Sequence, residues 1–147
     1  MKIISTGSAV PQLEVTNDML SQIMDTNDEW ISSRTGIRSR RVLSTESLSE
    51  LALSAAKRCI ENSKIDPSEI DYILCHNVFS DVTIPSLAAY LTKDLGVTCP
   101  TIDLNAACAG FIYSLDYADA LFKAGKAKNV LIICAEQTSH FVDWDRR

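Results

Sequence analysis

The sequence has no long apolar run, no cysteine pair at C-x-x-C spacing, no excess of positive charge and only two histidines. Each shortage removes a class of protein. The longest uninterrupted apolar stretch, Val130 to Ala135, falls far short of the roughly 18 to 20 residues that cross a bilayer. No apolar segment of signal-peptide type follows Met1 and Lys2. The five cysteines, at 59, 75, 99, 108 and 134, are an odd number at irregular spacing. That argues against a zinc site or a disulfide framework, and for reduced thiols in a cytosolic protein. Fourteen Lys and Arg against nineteen Asp and Glu give a formal charge of −5, so nucleic acid is repelled on average. The local basic cluster of Arg34, Arg38, Arg40 and Arg41 is open to two readings, a solvated segment or a phosphate contact. Five Gly and four Pro scattered through 147 residues exclude collagen-like and low-complexity classes.

What is present fits a globular domain: 46% of residues are apolar and 22% charged. The length suffices for one core, and no repeat or linker marks a boundary, so residues 1–147 are expected to form one domain. Lys2 to Ser5 reads as a short β-type run, and Thr16 or Asn17 can cap a short helix through Met24. Asp25 to Ile31 offers a second capped helix start, with acidic residues suited to the positive end of the dipole. Ile37 to Leu43 reads as an irregular or extended connector.

The clearest helix is expected from Ser47 to about Ser63. Ser47 and Glu50 have capping-box spacing, and Leu48, Leu51, Ala52, Ala55, Ala56, Cys59 and Ile60 recur as one apolar stripe. Tyr72 to Phe79 reads as a buried strand, Pro85 opens a helix that Gly96 closes, and Thr101 to Ala107 is another strand. Cys108 to Ala124 follows as a helix and Asn129 to Thr138 as a last strand. Strand and helix alternate, so the fold class is α/β with a mixed, largely parallel sheet flanked by helices. The helix after Cys108 carries Phe111, Ile112, Tyr113, Leu115, Tyr117, Leu121 and Phe122 with no wide polar face. Such a helix is expected to be buried on nearly all sides.

One position invites chemistry. Cys108 lies where a strand stops and a helix begins, and there the unpaired N–H groups and the helix dipole stabilise a thiolate or an oxyanion. Ala106, Ala107, Ala109 and Gly110 leave room for an acyl group. Spacing alone leaves open a nucleophile or a small buried cysteine. His76, inside an apolar run, reads as a core or strand-end histidine, and His140 as structural or solvated.

Ala106-Ala107-Cys108-Ala109-Gly110-Phe111 resembles the active-site cysteine motif of the β-ketoacyl-acyl-carrier-protein synthase III family, condensing enzymes of the thiolase fold. Three other stretches agree in order and position. They are Gly7 to Pro11, Asp25 to Ile31 together with Arg34 to Arg38, and Asp143 to Arg147. The resemblance covers the whole chain and implies the N-terminal thiolase-like half, with a buried central helix after the nucleophile. It implies that Cys108 takes an acyl group from acyl-coenzyme A and passes it to the carbanion left when malonyl-acyl-carrier protein loses carbon dioxide.

By the same resemblance Trp30 stacks on the adenine of coenzyme A, Thr26 and Arg34 lie near the nucleotide and its phosphates, and Arg147 closes the other side. A flat aromatic beside a forked guanidinium suits a base and a phosphate, although Trp30 taken without the family reads as a packing residue. Ile84 stands where the family reaches across a homodimer into the partner's acyl pocket, with packing before Pro85 as the alternative.

The resemblance implies no cofactor, since acyl-coenzyme A is a substrate, no metal, no membrane and a cytoplasmic enzyme. It also requires a histidine and an asparagine from a C-terminal half of the same enzyme. Neither His76 nor His140 carries that motif, so the chain alone is expected not to complete condensation. The rival readings are a non-catalytic half or split subunit, and a related condensing enzyme of the hydroxymethylglutaryl-coenzyme A synthase or polyketide synthase type.

Overall fold

The structure, a computed structural model, describes residues 1–144. The sequence expectation for Arg147 therefore lies outside the described residues. The chain divides into two compact units, one of Met1–Ala9 with Ser47–Glu136 and one of Val10–Glu46 with the stretch from Gln137.

In the second unit, β1 (Leu13–Thr16) runs straight into α1 (Asn17–Leu20), because the Thr16 side chain accepts the Met19 N–H and caps the turn. The α2 helix (Asp28–Thr35) starts at the Asn27 cap, carries Asp28 and Glu29 in its first turn, and ends at Gly36 with φ +73°. Then β2 (Ser39–Val42) pairs antiparallel with β1, Leu13 opposite Val42. Of the two readings for residues 37–43, irregular or extended, the extended one holds over Ser39–Val42, as a paired strand. Asn17, 1% exposed, ties the unit together. Its amide donates to Asp28 Oδ1 at 2.7 Å and to the Ile37 carbonyl at 2.8 Å, and its oxygen accepts from Arg40 at 2.7 Å. Each polar atom of this buried amide is satisfied, as burial demands.

The first unit opens with α3 (Leu48–Ser63), where the Ser47 and Glu50 capping box forms in full. The remaining elements are β3 (Tyr72–His76), α4 (Leu87–Leu95), β4 (Thr101–Leu104), α5 (Gly110–Lys123) and β5 (Val130–Cys134). The strands form a parallel sheet in the order β4-β3-β5. Side chains alternate across it. Ile73, Cys75, Leu131 and Ile133 point into a core shared with Leu48, Ala52 and Ala56 of α3 and Leu87, Ala88 and Leu91 of α4. On the opposite face lie the β3 residues that meet α5: the Tyr72 ring is 6.5 Å from that of Tyr117, and His76 abuts Gly110. Helices therefore cover both faces, as a parallel sheet requires.

Several expected elements differ. Lys2 to Ser5 forms no strand among the described residues. Instead α3 holds the stretch from Ser5 to Ser8. Ser5 Oγ donates to the Cys59 carbonyl at 2.8 Å, Arg58 to the Ser8 carbonyl at 2.6 Å and Asn62 to the Thr6 carbonyl at 3.0 Å. Gly7 lies so close that a Cβ would run into the Ala55 carbonyl oxygen. The strands stop at His76, Leu104 and Cys134, short of Phe79, Ala107 and Thr138.

The α5 helix is buried on one face only. Ser114, Ala118 and Leu121 are covered, whereas Phe111, Ile112 and Tyr113 are 46%, 61% and 60% exposed. The sheet offers α5 a single surface, so the expectation of burial all round is met here on that side alone.

Candidate active site

The nucleophile candidate sits on a short, strained connection. β4 ends at Leu104, a single 3₁₀ turn spans Ala107–Ala109, and α5 begins at Gly110. Ala107 adopts φ +44°, a region that costs an L-residue roughly 1–2 kcal/mol. Strain of this kind gathers at functional turns. The next residue, Cys108, is exposed, whereas Cys75 is fully buried. Within the described residues, then, Cys108 is not a buried cysteine. Burial, and then the nearby Asp103 charge, push the Cys75 thiol up to about 12. Burial also pushes up Cys99 and, with the Glu136 charge adding, Cys134.

Carboxylates fix the surroundings of the turn. Asp103 on β4 accepts the Leu87 and Ala88 N–H groups at 2.9 Å, holding the start of α4, and takes a third bond from the Asn77 amide at 2.9 Å. Beneath the turn, His76 is 5% exposed. Its Nδ1 lies 3.0 Å from the Leu104 carbonyl oxygen and its Nε2 lies 3.1 Å from Glu136 Oε1. It is a strand-end histidine, as its setting in the sequence suggested, but the Glu136 contact spans sixty residues and had no local signal.

In the other unit, α2 presents Trp30 and Arg34 together. The Arg34 guanidinium carbon lies 4.6 Å from the Trp30 ring centre, and an Arg34 nitrogen lies 3.5 Å from the Trp30 carbonyl oxygen. Thr26 lies just before the Asn27 cap of this helix. Its Oγ1 is buried and finds no hydrogen-bond partner among the described residues. Ile84 is 93% exposed in this chain. His140 lies in a 3₁₀ turn, Thr138–His140. Among the described residues no group of three or more His, Cys, Asp or Glu side chains could hold a metal ion. No helix there is long and apolar enough to cross a membrane.

A parallel sheet covered by helices on both faces, with an exposed cysteine on the turn from strand to helix, defines the class as thiolase-like. Comparison with known proteins narrows it. The family profile of 3-oxoacyl-[acyl-carrier-protein] synthase III matches residues 102–147. The chain is 45% identical to a β-ketoacyl-[acyl-carrier-protein] synthase III of Neisseria meningitidis, covering 99% of this chain and 47% of the relative. Against one of Clostridium acetobutylicum it is 45% identical, covering 100% and 46%.

The crystal structure of 3-oxoacyl-[acyl-carrier-protein] synthase III from Aquifex aeolicus superposes with a TM-score of 0.95 at 43% identity, covering 99% of this chain and 48% of that one. That of a priming β-ketosynthase from a polyketide biosynthetic pathway gives 0.94 at 32% identity, covering 99% and 44%. The chain thus spans about half the length of the curated relatives it matches. Its sequence is similar to β-ketoacyl-[acyl-carrier-protein] synthase III relatives over nearly its whole length.

Proposed function

We propose that the chain is the acyl-accepting half of a β-ketoacyl-acyl-carrier-protein synthase III that initiates fatty-acid synthesis. Cys108 is its nucleophile. The Cys108 sulfur attacks the thioester carbonyl of acyl-coenzyme A, the oxyanion collapses, and coenzyme A leaves as its thiolate while Cys108 keeps the acyl group. The first turn of α5 supplies N–H groups and dipole that favour both the attacking thiolate and the oxyanion. In the second half-reaction malonyl-acyl-carrier protein loses carbon dioxide, and its carbanion attacks the acyl-cysteine. The product is 3-oxoacyl-acyl-carrier protein, with the Cys108 thiolate released. Neither His76 nor His140 carries the family's decarboxylation motif, so that step belongs to a histidine and an asparagine outside this sequence.

The observation that carries this reading is an exposed Cys108 between β4 and α5, inside the stretch the family profile matches. Trp30, Arg34 and Thr26 are assigned to the coenzyme A nucleotide, as is Arg147. Ile84, exposed as it is, is assigned to an acyl pocket completed by the partner in a homodimer. The reaction uses no cofactor or metal, and the enzyme is assigned to the cytoplasm.

Formation of 3-oxoacyl-carrier protein from acetyl-coenzyme A and malonyl-carrier protein tests the reading. The protein carrying this sequence should form it, and Cys108→Ser should abolish it. Likeness to the priming ketosynthase favours a second reading, priming of polyketide synthesis. A preference for longer starters and for a polyketide carrier protein would select that one.

A further inference from the structure

His76 is a buried titratable group that the reaction above does not use, yet it touches both ends of the turn that carries Cys108. Its Nδ1 lies 3.0 Å from the carbonyl oxygen of Leu104, the last residue of β4. Its ring lies against Gly110, the first residue of α5, so closely that a Cβ there would run into Cγ, Nδ1 and Cε1. Between those two anchors run Asn105 to Ala109, including strained Ala107 and exposed Cys108. From the other side Glu136 fixes the imidazole, with Oε1 3.1 Å from Nε2 and Oε2 accepting the Val78 N–H at 3.3 Å.

Hydrogen counting adds a chemical constraint. A carbonyl oxygen only accepts, so Nδ1 must donate to Leu104. A neutral imidazole then has a bare lone pair at Nε2, and an ionised carboxylate has no hydrogen to offer it. The contact at 3.1 Å therefore needs one further hydrogen, carried either by Nε2 or by Oε1. That hydrogen lies between a His76 5% exposed and a Glu136 side chain 33% exposed.

We infer that His76 is a positioning residue for Cys108, held against both ends of the Cys108 turn by a proton shared with Glu136. The inference rests on Cys108 being the acyl acceptor, but its test does not use acyl-coenzyme A. The rate at which iodoacetamide alkylates Cys108, mapped by mass spectrometry with Cys59 as an internal control for general loosening, reads the turn directly.

In Glu136→Gln the amide N–H can donate to a neutral Nε2, so the ring keeps its place without the shared proton. In Glu136→Ala nothing holds it. Cys108 alkylation in Glu136→Gln should stay within about twofold of the unaltered protein, and in Glu136→Ala it should fall about tenfold with Cys59 unchanged. Two variants equal to each other at Cys108, fast or slow, would overturn the inference. The unaltered protein gives an independent reading, even if Glu136→Ala does not fold. Nitrogen-15 spectra of the His76 ring should show a hydrogen at the Nε2 contact, and a neutral ring with a bare Nε2 lone pair would also overturn it. Acyl transfer to Cys108 is measured separately, so its failure leaves these outcomes readable.

Discussion

The Arg34 guanidinium carbon lies 4.6 Å from the centre of the Trp30 ring, and both side chains rise from α2 four residues apart. Spacing of this kind makes neighbours on a helix surface. The cation covers part of the ring's electron-rich face. If this pair receives the coenzyme A nucleotide, the two truncations should act mainly on binding. Arg34→Ala should raise the KM for acyl-coenzyme A about threefold to tenfold, corresponding to about 1 kcal/mol of lost cation–π and phosphate attraction. Trp30→Ala should raise it by about tenfold or more, since stacking a base on an aromatic ring is worth about 1–3 kcal/mol. Steady-state kinetics that show kcat falling instead, with KM unchanged, would reassign the pair.

The capping box at the start of α3 is a stability device remote from the reaction. Ser47→Ala removes the side chain that accepts the Glu50 N–H and should cost about 1 kcal/mol in urea unfolding. Its acyl-transfer rate should match that of the unaltered protein.

Gly110 and the His76 ring share one small space. The ring is trapped between the Leu104 carbonyl and Glu136, so it cannot swing aside cheaply for a new methyl group. Gly110→Ala should destabilise the protein by about 1–3 kcal/mol through overpacking and slow acyl transfer as the turn shifts. Unchanged thermal unfolding of that variant would mean the ring has room to retreat.

Buried Cys75 makes stability fall at alkaline pH. Its thiol, pushed up to about 12, must stay protonated in the folded state, while in the unfolded chain it ionises near about 8.5. Its contribution is therefore fully present below pH ~8.5 and lost as pH rises from there toward about 12. Urea unfolding near pH 7 and near pH 10 should show a loss of about 2 kcal/mol that Cys75→Ala lacks, although that variant starts about 1 kcal/mol less stable. Equal losses in both proteins would clear Cys75.

Local signals were legible in the sequence and distant ones were not. Ser47 and Glu50 announce their helix because both partners lie within one turn. Small residues around Cys108 mark a strand-to-helix junction for the same reason. An extended stretch is legible at residues 37–43 but its pairing as a strand is not, because the partner, Leu13–Thr16, is remote in sequence and neither segment alternates cleanly. Lys2 to Ser5 has the composition of a strand, yet the groups that hold Ser5, Thr6 and Ser8 belong to Cys59, Asn62 and Arg58, fifty or more residues on. Gly7 and Pro11 flank the passage from Ala9 to Val10, yet no proline, glycine or charge run marks the one from Glu46 to Ser47, and composition does not reveal the division into two units. The Glu136 contact of His76 escaped for the same reason, since His76 is paired by a residue two strands of chain away.

Acyl transfer to Cys108 is the step on which everything else depends, and one measurement isolates it. The protein is incubated with radiolabelled acetyl-coenzyme A in the absence of malonyl-carrier protein, digested, and the labelled peptide identified. The label is expected as a thioester on the peptide containing Cys108, cleaved by hydroxylamine and absent from Cys108→Ser. Burial raises the thiol pKa of Cys75, Cys99 and Cys134, which disfavours labelling there. Label spread over several cysteines, or retained in Cys108→Ser, would contradict the assignment of Cys108 as the acyl acceptor.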